Sequence, residues 1–153
     1  MANTYHKIYI QTVFAVKYRN AVLDKAWREQ MFAVMGNLIN ETGCKNLIVN
    51  GVEDHVHCFF SLKPSVALSD VMKSVKSKSS KWLNEQGLLD HRFEWQKGSG
   101  LFSYNHALVD TVYKYVERQE AHHATHTFKE EYTALLKIFE IEYDEEYVFK
   151  DLI

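Results

Sequence analysis

No stretch of this 153-residue chain holds the roughly 20 consecutive apolar residues that a membrane-crossing helix requires. Met1-Ala2-Asn3-Thr4-Tyr5 lacks the basic residues and apolar stretch of a secretory leader. A cytoplasmic protein with no membrane partner is expected. Cysteine is scarce too: Cys44 and Cys58 are too few for a disulfide framework and lack the Cys-x-x-Cys spacing of zinc or redox sites, so both read as small buried thiols. Repeats, low-complexity segments and linker-like stretches are missing, which leaves one domain over 1–153.

The hydrophobic share of 46% excludes a disordered chain, and a domain of this length buries roughly two thirds of its unfolded surface. A net charge of −2 argues at first against a nucleic-acid partner, but the charge is uneven. Residues 1–120 carry 15 Lys+Arg against 12 Asp+Glu, whereas residues 121–153 carry 3 against 8. The last part, 127–153, reads as a C-terminal helix followed by an acidic tail of Glu140, Glu142, Asp144, Glu145 and Glu146, a solubilising surface or a subunit contact.

Residues 5–16 are rich in β-branched and aromatic types and predict a strand. Asp24 is placed to cap a helix whose apolar positions Trp27, Met31, Val34, Met35, Leu38 and Ile39 follow the 3.6 period, and Gly43 stops it. Strands over 45–50 and 52–62 flank Asn50-Gly51, a strong hairpin signal, and Pro64 ends the second. A helix from Leu68 to Asn84 turns Leu68, Val71, Met72, Val75, Trp82 and Leu83 inward. Short strands are predicted at 93–96 and 101–104 around Gly98-Ser99-Gly100. Asn105 is placed to cap a helix over 106–123, and Thr127 with Glu130 forms a capping box for a helix through Phe139. This order predicts an α+β fold: an antiparallel sheet with helices on one face, ferredoxin-like in its first six elements, the other face free for a ligand.

Two spacings carry chemistry. On a strand, residues i and i+2 share a face, so His55 and His57 aim two imidazoles at one ion, away from the apolar row Val56, Cys58, Phe60 and Leu62. As a bare motif it equally describes two half-exposed strand histidines. On a helix, residues i and i+4 are neighbours, so Gln119 adds a carbonyl ligand beside the Tyr115 hydroxyl. Two imidazoles and a glutamine leave a site welcoming to a phosphate oxygen and to a hard ion, Mg²⁺ or Mn²⁺. A tyrosine is a poor nucleophile at neutral pH unless a neighbouring ion or base activates it. Tyr113, which points into the core stripe with no glutamine four residues on, is the internal control. His122, His123 and His126 lack finger-spaced partners and read as surface or supporting histidines. Lys73, Lys76, Lys78 and Lys81 lie among Ser74, Ser77 and Ser80, either a solvated helix face or one that admits a phosphate backbone. Lys17, Tyr18 and Arg19 combine cations with a stacking ring, as single-strand binding requires.

Val16-Lys17-Tyr18-Arg19, Asp54-His55-Val56-His57, Trp95-Gln96-Lys97-Gly98, Phe102-Ser103, Tyr115-Val116-Glu117-Arg118-Gln119, His122-His123 and Phe128-Lys129-Glu130-Glu131-Tyr132 with Leu135-Leu136 stand in an order that resembles the single-tyrosine HUH transposases of small insertion sequences. Ser99 departs from it, since relatives often have an aromatic residue there. The resemblance implies an HUH-endonuclease fold and a divalent ion on His55, His57 and Gln119, with Asp54 and His122 supporting them. It implies that Tyr115 attacks single-stranded DNA at hairpin-bearing element ends, giving a 5′-phosphotyrosine and a free 3′-hydroxyl that later rejoins strands. It further implies a homodimer in which the tyrosine helix of one subunit can serve the other's histidines. Rival readings are a host-adapted or replication-type HUH nickase and a non-catalytic DNA-binding relative.

Overall fold

The computed structural model describes residues 4–144; residues 1–3 and 145–153, which include Glu145 and Glu146 of the acidic tail, lie outside the described residues. Four strands, β1 (Tyr9–Ala15), β2 (Lys45–Gly51), β3 (His55–Ser61) and β4 (Gly100–Tyr104), form one antiparallel sheet in the order β2-β3-β1-β4. Helices α1 (Arg28–Glu41) and α2 (Leu68–Gln86) complete the βαββαβ ferredoxin-like arrangement expected. Helices α3 (Val109–Glu117), α4 (Gln119–His123) and α5 (Phe128–Ile138) follow.

The alternation of β1 and β3 sorts their side chains into two layers. Ile10, Phe14, Val56, Cys58 and Phe60 meet Met31, Met35, Ile39, Val71, Val75 and Leu83 of α1 and α2 in the main core. Each such fully buried side chain stabilises by about 1.5–3 kcal/mol. The face expected to stay free is itself roofed: Val13, Ala15 and Phe102 pack on Phe128, Leu135 and Leu136 of α5, and Tyr9 and Phe59 pack on Val112 and Val116 of α3. Both faces carry helices, and the His55/His57 pair lies beneath the second set.

Local signals translate unevenly. The Thr127 side chain accepts from the Glu130 N–H while the Glu130 side chain accepts from the Thr127 N–H, so the capping box forms as read. Gly43 adopts φ +94° where α1 stops. The hairpin turn falls at 52–54 rather than at Asn50-Gly51: both remain in β2, Gly51 pairs with Val56, and a Cβ on Gly51 would lie 2.3 Å from the His55 carbonyl oxygen. Close strand approach, not the turn, requires that glycine. Asp24 makes an Asx turn to the Ala26 N–H and α1 begins at Arg28, while Asn105 makes no side-chain cap bond. Residues 93–96 form no strand beyond a bridge between Val16 and Trp95, because β4 already holds the edge of β1 from Tyr9 to Val13. The helix expected over 106–123 is a short 3-10 turn followed by α3 and α4, broken at Arg118.

Candidate metal and nucleophile site

His55 and His57 stand on the roofed face of β3, fully buried, beside Val13 and Ala15 of β1. The end of α3 delivers Tyr115, α4 delivers Gln119, His122 and His123, and α5 delivers Glu131. The break at Arg118 is held from the sheet: Asn50 on β2 donates its amide to the Val116 and Glu117 carbonyl oxygens, 3.0 Å each. Those carbonyls end a helix, where backbone acceptors fall outside the regular ladder. Asn50 pairs with His57 in the β2–β3 register, so one strand pair ties the tyrosine helix to the histidines.

The centre of the site is the Glu131 carboxylate. Its Oε1 lies 3.2 Å from His55 Nε2, 2.9 Å from His57 Nε2 and 3.0 Å from His123 Nε2. Its Oε2 accepts from the Tyr115 hydroxyl and, at 3.1 Å, from Gln119 Nε2. His122 Nε2 is 3.4 Å from Oε2, outside hydrogen-bond geometry. The expected Tyr115–Gln119 proximity is present, with Gln119 Nε2 also 3.4 Å from the Tyr115 carbonyl oxygen.

Each inward imidazole is anchored through its other nitrogen. His55 Nδ1 bonds Asp54 Oδ1 at 2.7 Å, His57 Nδ1 bonds Gln11 Oε1 at 2.9 Å, and His123 Nδ1 bonds the His126 carbonyl oxygen at 2.8 Å. All three partners are acceptors here, so Nδ1 carries the hydrogen and Nε2 faces the site. Metal-binding histidines are held in this way. Nε2 of the three histidines and a Glu131 oxygen lie within 4.8 Å of one another. Gln119 Oε1 is buried with no hydrogen-bond partner among the described residues. A buried orphan acceptor beside nitrogen and carboxylate donors fits a divalent cation, with mixed N/O ligands.

The electrostatics follow from burial around one carboxylate. Burial holds the His57 pKa below its ordinary value despite Glu131 beside it. Burial also lowers His55, but bonds to Asp54 and Glu131 outweigh it and leave the value raised. Burial would raise Glu131, yet the imidazoles of His57, His123 and His55 gathered around it hold it well below the carboxylate range. Tyr115 is pushed up by burial and by the Glu131 charge, so the phenol is protonated.

Spacing did not single out Glu131, His123 or Gln11. Glu131 had a signal: with Phe128, Tyr132 and Leu135 it falls on the apolar stripe of α5, an odd place for a carboxylate. Asp54 takes its expected supporting place beside His55.

The predicted DNA-contact residues divide. Lys73, Lys78 and Lys81 are exposed, Lys81 within 3.9 Å of Glu85. Lys76 differs: its ammonium donates to the Gln96 and Gly98 carbonyl oxygens at 2.7 and 2.8 Å and sits 5.2 Å from the Phe14 ring centroid. Burial lowers its pKa to about 8, and the residue ties α2 to the 96–99 loop. Lys17 pairs with Glu94 at 3.3 Å and lies over the half-exposed ring of Tyr18, which adopts φ +60°. The Arg19 side chain is outside the described residues.

A family profile described as "Transposase IS200 like" matches residues 4–119. No curated protein matches the chain. Among solved structures, a "putative transposase" from Deinococcus radiodurans R1 is similar over 78% of this chain and 95% of its own, with TM-score 0.62 and 17% identity. A REP-associated tyrosine transposase, solved bound to a REP hairpin, is similar over 80% of this chain and 74% of its own, with TM-score 0.56 and 14% identity. At such identities the likeness is one of fold.

Proposed function

Because the chain belongs to the IS200-like transposase family, we propose that it cuts and rejoins single-stranded DNA at mobile-element ends, with Tyr115 as nucleophile. The observation that carries this reading is the convergence of the Tyr115 hydroxyl and the Gln119 amide on the carboxylate that also meets Nε2 of His55 and His57. Here a partly buried phenol donates its hydrogen to a carboxylate, the pairing that a nucleophile and its proton acceptor require.

His55, His57 and Gln119, joined by Glu131 and His123, would hold a divalent ion, Mg²⁺ or Mn²⁺, which when bound supplies charge stabilisation to the phosphate oxygens. The chain's own residues do the rest. Asn50 and Gln119 fix the end of the tyrosine helix. Glu131 Oε2 takes the proton as the Tyr115 oxygen bonds to phosphorus. The P–O3′ bond breaks, and the departing 3′ oxygen takes a proton from solvent water and leaves as a hydroxyl. The tyrosyl ester conserves the phosphodiester energy, so attack by a 3′-hydroxyl rejoins strands without a nucleotide cofactor. Lys73, Lys78 and Lys81, with Lys17 and Tyr18, hold the DNA in this reading. Hairpin-bearing single strands are the proposed substrate, in keeping with the fold neighbour solved on a REP hairpin. The Tyr115 ring lies 5.8 Å from that of His57 in the same chain, and a homodimer is proposed to bring two DNA ends together.

The test is incubation with labelled single-stranded element ends and Mg²⁺ followed by denaturing electrophoresis. A covalent protein–DNA adduct is expected, and its absence with every end tested overturns the reading.

A further inference from the structure

Beside the histidines, on the flank away from Tyr115, lies a cleft of about 250 Å³ walled by Phe128 and Tyr132, with Gln96, Lys97 and Ser99 along its other side. Three distances place it. The Tyr115 ring is 5.8 Å from His57, His57 is 5.3 Å from His55, and His55 is 4.7 Å from Phe128. In the sheet order β2-β3-β1-β4, α3 packs over β2 and β3 on one side of the histidine pair, while the cleft is lined by Val13 and Ala15 of β1 and by residues 96–99 on the other. In a phosphoryl transfer the attacking and departing oxygens are roughly in line, so the departing nucleotide lies across from Tyr115.

The cleft is built from fixed parts. Lys76 pins the Gln96 and Gly98 carbonyls, Trp95 donates to buried Ser79 at 2.9 Å, and Asn84 makes two bonds to the Phe93 backbone. Gly100 keeps room for the Tyr132 ring, since a Cβ there would lie 3.0 Å from its hydroxyl. Exposed Lys97 lines this cleft and also a larger groove of about 810 Å³ that carries Lys81 and Arg92. Lys81, Arg92 and Lys97, interspersed with Glu85 and Glu94, thus lead to an aromatic-walled recess at the site. That sequence of charge and then ring matches a single strand, whose phosphates need the first and whose bases need the second.

We propose that this cleft takes one nucleobase of the single strand, that of the nucleotide whose 3′ oxygen departs, set against the partly buried Tyr132 ring over a floor formed by buried Phe128, with Lys97 on a neighbouring phosphate. The proposal deepens the function given above and rests on it for the identity of the strand. It makes the cleft a specificity site, distinct from the metal and nucleophile residues, and requires the strand to be unpaired at that position.

The experiment has two arms. In the first, the full chain binds a single-stranded dT oligonucleotide carrying one 2-aminopurine, whose fluorescence falls when the base stacks. Quenching is expected with the wild type. Ser99→Trp, which fills the recess, abolishes it, and Lys97→Ala, an exposed change that leaves the fold alone, weakens binding about 5-fold or more. No quenching, or equal quenching and affinity in all three proteins, overturns the cleft. In the second arm, wild-type adduct formation is followed with Mg²⁺ and labelled element ends. Its absence overturns the transposase chemistry, whereas an adduct together with a silent first arm overturns only the cleft.

Discussion

The two faces of the sheet are made from the same strands and differ in what their alternate residues meet. On one, Val56, Cys58 and Phe60 of β3 disappear into apolar side chains from α1 and α2. On the other, His55 and His57 meet a carboxylate that also accepts from a phenol and an amide, the three brought by three later helices. The first face gains its stability by dispersion and water exclusion, and closely similar shapes could replace its members. The second buries charge and unpaired acceptors, which costs stability unless the groups satisfy one another or a ligand. The difference teaches where the proposed chemistry sits: on the face whose buried polar groups cost stability unless they satisfy one another or a ligand.

The sharpest break between the faces is expected at Tyr115. Tyr115→Phe should abolish the covalent adduct while leaving the fold intact, and Tyr113→Phe should leave both. Wild-type adduct formation by Tyr115→Phe would remove the assignment.

Phe60→Ala is the counterpart on the apolar face. It should lower unfolding stability by about 3–5 kcal/mol, read from the urea midpoint, with unchanged Mn²⁺ affinity per folded molecule. A change in metal affinity larger than the fraction unfolded explains would show the faces to be coupled.

Gln11→Leu probes the anchoring of His57 rather than the ligand itself. Loss of the Nδ1 acceptor should weaken Mn²⁺ binding by about 10- to 100-fold in calorimetry. Tyr104→Phe, which removes only the far partner of Gln11, should keep the affinity. Equal affinity in both variants would mean the amide merely fills space.

The smallest effect concerns the basic surface. Lys73, Lys78 and Lys81 changed together to Gln should lower the salt slope of DNA binding by about 0.7–0.9 for each lost phosphate contact. Lys76→Gln should instead lower thermal stability, because its ammonium bonds within the protein. An unaltered slope in the triple variant would move the DNA path toward Lys17 and Lys97.

Much of this was legible in the residues. The His55/His57 face follows from the strand period, and the proximity of Tyr115 to Gln119 follows from a helical spacing that survives even the break at Arg118. The capping box at Thr127 is local and forms as read. The Asn50-Gly51 reading shows the limit of local signals: both residues remain in the strand, where Gly51 admits the His55 carbonyl. Lys76 shows another limit, since its spacing on α2 is that of an exposed face and only the 96–99 loop takes it out of solvent.

By itself the sequence determined the order of β1, α1, β2, β3, α2 and β4, which residues share a face, the pairing of His55 with His57 and that of Tyr115 with Gln119. Those properties depend on periods of two and 3.6 residues, which any short stretch carries within itself. The tertiary structure alone decided that α3, α4 and α5 roof the second face. It also set Glu131 at the meeting point of three imidazoles and a phenol, and turned Gln11 and Asn50 into anchors for groups 46 and 66 residues away along the chain. Such contacts depend on how whole elements dock, and docking is settled by packing across the entire sheet rather than by any pattern within one segment.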